Sequence, residues 1–572
     1  MDPNEVETET PSLDFIKSNL RDAILQCSDR GLYFAAKWAA ETLNSLPESF
    51  IDTSTSVSDS LSIFNDAKNE TTENFSSNCE RDKYLLAKSY FDVKEFDRAS
   101  FVLEKCVSPK SLFLKIYAKY LAGEKRKEEE SNDIMGPLDD PKAINKELVT
   151  IQEELEKLYN ENEMDGFLLY LYGLITKQLG SQRTAIKFFL SSVNAYSYNW
   201  SAWLELSQCV GDKNQLKEIM QELPKHFMTK FFDLHTSVEL NENQNNFYSL
   251  LSGFSPHFKD NKSIKTLKAI VHYNNREFAE AEREFDELIL SDPFRLDDMD
   301  IYSNVLYVMD KKAKLSFLAH MSANTDKYRS ETMCIIGNYY SLKSEREKAI
   351  SYFKRALQVN RHCLTAWTLM GHEYVELKNT HAAVVAYKRA LEVNPNDYRA
   401  WFGLGQTYQF LKMDFYAIYY YERATVLRPQ DARMWEALAG LYETVNVNSQ
   451  EKAIKCYEHT LECSDCDDNS TKSAVSRLAT LYESIDPVKA AKYHKMILQR
   501  DDLNADAEEL RNAHRFLAHY NRDLGDIKAA TTHAQDLMNY GGTAREEGRN
   551  LMNDLTSLAH DNPPPPPAQL SS

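Results

Sequence analysis

Between residues 330 and 442, apolar and small side chains return at one set of offsets every 34 positions. Trp367, Met370, Gly371, Tyr374, Ala383, Tyr387, Ala390 and Pro395 are followed, one period later, by Trp401, Leu404, Gly405, Tyr408, Ala417, Tyr421, Ala424 and Pro429. One period earlier stand Met333, Ile336, Gly337, Tyr340, Ala349, Phe353 and Ala356. Trp435, Leu438, Ala439 and Tyr442 keep the frame until a two-residue insertion near NVNSQ delays Ala453 and Tyr457. Offsets 4, 7, 8 and 11 of this period lie on one stripe of a first helix, and offsets 20, 24 and 27 on one stripe of a second. Small residues at offsets 8 and 20 let the two backbones approach, and Pro at 32 ends the second helix.

This is the spacing of the tetratricopeptide repeat (TPR), a helix pair that buries its apolar face only by stacking on its neighbours. Fainter copies extend it. Ala269, Ala281, Phe285 and Pro293 keep the frame, as do Gly173, Ala185 and Phe189, and Leu86, Ala87, Tyr90 and Ala99. Towards the end, Leu478, Ala479 and Tyr482 open one unit, and Leu517, Ala518 and Ala530 another. The expected fold is all-α, a TPR superhelix of roughly a dozen helical pairs. The expected organisation is an N-terminal helix pair at 1–48, a Ser/Thr/Asn-rich mobile loop at 49–80, and a first TPR array at 81–260. A charged insertion at 123–141 interrupts that array and reads as a solvated loop. A second array spans 261–540, and a Pro-rich disordered tail spans 541–572.

Composition narrows the class. A formal charge of −19 argues against a nucleic-acid partner. No apolar run is long enough for a membrane span, and the acidic start lacks the apolar core of a secretory signal. Nine scattered cysteines suit a reducing compartment, so the chain reads as soluble and intracellular.

Three stretches could hold chemistry. His372-Glu373 in MGHEY begins like the zinc pair His-Glu-x-x-His, but position 376 is Glu, so the ligand set is incomplete. Cys456, His459, Cys463 and Cys466 approach a metal cluster, yet no distant second Cys pair closes it. Gly403-Leu404-Gly405 is half of a nucleotide loop, with Tyr408 in place of the third glycine. No catalytic residue, metal site or cofactor is expected. What remains is the face of the first helices opposite the packing stripe. It carries Asn338, Thr365, Thr368, His372, Glu376, Arg399, Phe402 and Gln406, with Glu373 at its margin. Amides there suit the main chain of an extended peptide, and carboxylates suit an arginine. Glu373 is expected to be the carboxylate that takes such an arginine, and Glu373→Lys to leave the repeat folded, because the side chain points away from the Trp367–Tyr374 stripe.

GNYYSLKSEREKAISYFKRAL, MGHEY with its flanks, and GQTYQFLKM resemble the subunit-eight family of the anaphase-promoting complex, the cell-division-cycle twenty-three TPR family. The resemblance covers about 20–500. It implies a non-enzymatic scaffold of a multi-subunit ubiquitin ligase, in nucleus and cytoplasm, contacting the other subunits of that complex. It also implies a homodimer through the N-terminal repeats, and a C-terminal groove that holds an Arg-containing N-terminal motif of an activator subunit. Phe15, Leu20, Ile24, Leu32, Phe34 and Trp38 agree with the dimer, being more apolar residues than one terminal pair needs. The alternative is a co-chaperone TPR or another peptide-binding adaptor, although a carboxylate clamp needs several groove cations and only Arg399 fits.

Overall fold

A computed structural model describes residues 13–32, 35, 38–39, 42–43, 46, 78–132, 144–211, 213–240, 244–254, 258, 260–445, 450–463, 468–499, 507–540 and 542–561. Among them are 28 helices and no strand. The chain forms two compact units, Met1–Glu373 and Tyr374–Ser572. Their division falls inside the helix Leu364–Glu376 rather than at 260/261. Of the expected loop 49–80, residues 78–80 open the helix Asn78–Asp92 and the rest lie outside the described residues. The expectation of a disordered tail from 541 is corrected by the helix Thr543–Asp561, whose Leu551 and Leu555 are buried against Ala530 and Ala534; the polyproline segment lies outside the described residues.

Each unit is built from helix pairs, and in those of Gly173, Gly337 and Gly405 the first helix carries a glycine under an aromatic ring of the second, where other pairs have alanine such as Ala269 or Ala439. A Cβ on Gly405 would stand 2.5 Å from the Tyr421 ring, and one on Gly173 would stand 2.6 Å from Phe189. Gly337 faces Phe353 in the same way. In every case the ring lies 16 residues on, which is offset 24 against offset 8. These rings are at most 1 % exposed, so the missing side chain is what lets the helices close. Tyr387 packs on Gly403 of the following pair, continuing the same contact between repeats.

The turn within each pair repeats as faithfully as the packing. Arg276, Asp310, Ser344, Lys378 and Lys412, spaced 34 apart, all have φ between +53° and +64°. Ser344 N–H donates to the Ser341 carbonyl at 2.8 Å, and Glu345 N–H donates to the Tyr340 carbonyl at 3.0 Å. This pair of bonds closes a helix end through one left-handed residue, usually glycine. Gly180 and Gly525 supply it elsewhere. Ser344→Gly should therefore raise stability by about 0.5–1 kcal/mol, since relief of the left-handed strain exceeds the added unfolded-state entropy. A higher midpoint in urea checks this.

The tryptophans at offset 4 have a polar task beyond packing. Trp401 and Trp435 donate Nε1–H to the carbonyls of Pro395 and Pro429, at 2.7 and 2.8 Å. Trp367 and Trp203 reach Arg361 and Ser197 likewise, each six residues back. The ring thus pins the loop from the preceding repeat.

The charged insertion differs from expectation. Residues 123–132 continue the helix Pro109–Asn132 instead of forming a loop. Lys127 pairs with Glu124 at 3.2 Å, and Arg126 bridges outward to Asp97 at 2.6 Å and Glu147 at 3.0 Å. Mixed charges at helical spacing support the helix, and Arg126 ties it to two neighbouring segments.

One cap in the first unit is titratable. His226 Nδ1 accepts from Met228 N–H at 3.2 Å and starts the helix Phe227–Glu239. Its imidazole lies against the Tyr198 and Phe227 rings. Burial holds its pKa down at about 4. A depressed histidine binds fewer protons folded than unfolded, so stability falls as pH drops from about 6.5 towards 4. Between pH 7 and 5 we expect a loss on the order of 1–2 kcal/mol, absent in His226→Asn, which keeps a cap that does not titrate. Melting curves of both proteins across that range test it.

Candidate functional site

The expected groove residues fall into two kinds. Asn338, Thr368 and Glu373 are buried in the first unit. Asn338 Nδ2 donates to Ser303 Oγ at 2.8 Å and to Asn304 Oδ1 at 2.7 Å, across to the helix Met299–Val308. Thr368 Oγ1 donates to the Leu364 carbonyl of its own helix at 3.0 Å. Glu373 is 5 % exposed; its carboxylate accepts from Ser341 Oγ and lies 3.6 Å from Arg346 Nη1. The expectation that Glu373 faces an open groove, so that Glu373→Lys leaves the repeat undisturbed, is corrected by this burial. Offset 10 faces the preceding repeat as well as the groove.

The remaining candidates reach solvent. His372 in the first unit and Glu376 in the second are exposed. Arg399, Phe402 and Gln406 are half-buried in the second unit, on the helix Tyr398–Phe410. Arg399 lies 5.5 Å from the Tyr398 ring, and Phe402 packs on Tyr421 with centroids 5.3 Å apart. Asp397 caps this helix, accepting from Arg399 N–H at 3.2 Å. Burial pushes its carboxyl above the usual range, opposed by the charge of Arg399. In the first unit Asp300 is raised by burial, opposed by a hydrogen bond from Thr365.

Sequence reasoning missed the partners Ser303, Asn304, Ser341 and Arg346. The period could have found one of them, since Asn304 stands one repeat before Asn338 at the same offset. Same-offset residues of adjacent first helices stack, and two amides there bond to each other.

The suspected metal motifs are occupied by other work. Cys456 is buried, and burial pushes its thiol up to about 12. His459 stacks on Trp435 at 4.9 Å and pairs with Glu462 at 3.3 Å. Cys463 Sγ donates to the His459 carbonyl at 3.0 Å, and Cys466 lies outside the described residues. Replacing Cys463 by Ser should leave the melting temperature almost unchanged, because an exposed hydroxyl serves the same carbonyl.

At the N-terminus the structure corrects the idea of an apolar surplus. Leu20, Leu32 and Trp38 are core residues of the first unit, and Ile24 packs against the same core. Trp38 stacks on Trp200 with centroids 4.8 Å apart and meets Phe231 edge-on at 5.5 Å. Arg30 completes the seam, pairing with Asp165 at 3.3 Å above the Phe167 ring. Of the six residues, Phe15 is 57 % exposed and Phe34 lies outside the described set. Among the described residues no helix is long and apolar enough to cross a membrane.

Comparison with known proteins places this architecture. The family model described as anaphase promoting complex subunit 8 / Cdc23 matches residues 15–269, and two TPR models match 330–363 and 371–411. Anaphase-promoting complex subunit 8 of Arabidopsis thaliana is 44 % identical over 95 % of this chain and 97 % of its own length. Its namesake in Dictyostelium discoideum is 40 % identical over 95 % and 98 %. Anaphase-promoting complex subunit CDC23 of Saccharomyces cerevisiae is 34 % identical over 62 % and 67 %. With end-to-end identity at this level on a chain of TPR helix pairs, the protein belongs to the anaphase-promoting complex subunit 8 / Cdc23 family.

Proposed function

We propose that the chain is a non-catalytic scaffold of the anaphase-promoting complex in nucleus and cytoplasm, joining its ubiquitin-ligase subunits and receiving an activator. The observation that carries this reading is the match to relatives named as subunit 8 along nearly the whole chain. Purification of the tagged protein with identification of its partners tests it. Recovery of a cullin-like and a RING-type subunit supports it, and their absence from an intact preparation refutes it.

Within that role the chain dimerises through its N-terminal repeats, with Phe15 and Leu25, both 57 % exposed, as the apolar contacts. Light scattering on the full chain should give twice the chain mass at micromolar concentration; a monomer would remove the dimer. The activator's arginine motif binds the solvent-reaching candidates of the second unit, Glu376, Arg399, Phe402 and Gln406, with Glu376 taking the guanidinium. Glu376 is exposed, so Glu376→Lys should leave the fold intact while weakening an activator peptide. The expected loss is about 1.5–3 kcal/mol, roughly 10- to 150-fold. Fluorescence anisotropy of the labelled peptide reads it, and an unchanged affinity would move the site elsewhere.

A further inference from the structure

Near the end of the second unit, three metal-capable side chains converge: His514 at offset 4, where other repeats carry a tryptophan, and His533 and Asp536 at offsets 23 and 26, beside the packing stripe. His514 lies on the helix Ala507–Asp523, and His533 and Asp536 lie on Ile527–Met538. His514 Nδ1 is 3.2 Å from His533 Nδ1 and 3.7 Å from Asp536 Oδ2. One ligand atom from each residue lies within 4.8 Å of the other two. Among the described residues no other group of His, Cys, Asp and Glu meets this condition. The fully buried Ala513, Ala518, Ala530 and Ala534 let the two helices approach closely enough for the rings to meet. His533 and Asp536, three residues apart, share one face of their helix.

We propose that His514, His533 and Asp536 bind one divalent transition-metal ion of the zinc class, through two imidazole nitrogens and one carboxylate oxygen, with water in the fourth position. Ligands about 2.0–2.2 Å from a tetrahedral zinc ion stand about 3.3 Å from one another. Two of the separations, 3.2 and 3.7 Å, bracket that edge, and the third lies within 4.8 Å. Two facing Nδ1 atoms need either a shared proton or a cation between them. A proton serves the two rings alone, whereas a cation also accounts for the carboxylate beside them. Two imidazoles with one carboxylate select zinc, cobalt or nickel over calcium and magnesium. A bound ion would clip the two helices together and raise their stability by mass action.

The test uses the full-length chain, stripped with a chelator and titrated with Co²⁺, then with Zn²⁺. We expect one Co²⁺ per chain with the intense visible bands of a tetrahedral ion, displaced by Zn²⁺, and a higher melting temperature with either metal. His533→Ala should abolish the bands. Asp536→Asn changes a half-exposed side chain with no change of shape, so it keeps the fold, and it should weaken Co²⁺ at least about 10-fold. Circular dichroism establishes that both variants are folded. Absence of tetrahedral bands in the wild type, or bands unaltered in folded Asp536→Asn, would overturn the proposal.

Discussion

Gly337→Leu is expected to lower the stability of the chain by about 3 kcal/mol or more, the top of the range for overpacking a close-packed interior. A Cβ at 337 would stand 2.8 Å from Cδ1 and Cζ of Phe353, and nearer still to Cε1. Phe353 is fully buried and has no space into which to turn. Even alanine sets a helix-propensity gain of up to about 1 kcal/mol against an overpacking cost of about 1–3 kcal/mol, so the clash wins. Leucine adds three further carbons with nowhere to go. A repeat stacks mainly on its neighbours, so loss of the pair Ser330–Leu342 and Arg346–Val359 should loosen the repeat before it too. Urea unfolding followed by circular dichroism should show an earlier and broader transition. A wild-type curve would mean that offsets 8 and 24 are not in contact.

Glu373→Lys is expected to destabilise the fold as well as alter the groove. The substitution sets an ammonium beside the Arg346 guanidinium and leaves the Ser341 hydroxyl without its acceptor. Breaking a fully buried pair costs about 3–5 kcal/mol; Arg346 is 30 % exposed, and screening brings the expectation to about 2–4 kcal/mol. Glu373→Gln keeps an acceptor for Ser341 and should cost about 1 kcal/mol. Adding Arg346→Ala to Glu373→Lys should recover part of the loss, since it removes the like charge. Thermal melts of the two single variants and the double variant decide the matter. If Glu373→Lys melts with the wild type, the carboxylate does not tie these repeats together.

The N-terminal segment shows how a count of apolar residues misleads. Leu20, Leu32 and Trp38 exceed the needs of one helix pair, yet all three are buried in the core of the first unit, where Trp38 meets Trp200 and Phe231, far along the chain. Sequence spacing carries no record of a partner some 160 residues away. The metal-capable trio was hidden for the same reason. His533 and Asp536 are three apart, but His514 arrives from another helix, and no linear motif joins them.

The sequence by itself determined the helix pairs, their period and the contacts inside each pair. Helical periodicity translates spacing directly into a face, and a glycine 16 residues before a large ring can mean only a close approach. It also placed the chain in its family, through residues outside the repeat consensus. It did not determine which polar residues stay free. Asn338 and Glu373 lie on the open side of a single helix by angle, and an adjacent first helix then covers them. Only the tertiary structure decided that, because the neighbour's position depends on backbone packing between repeats. The left-handed turns at Ser344, Lys378 and Lys412 belong to the same class, since no glycine marks them and the flanking helices impose the conformation.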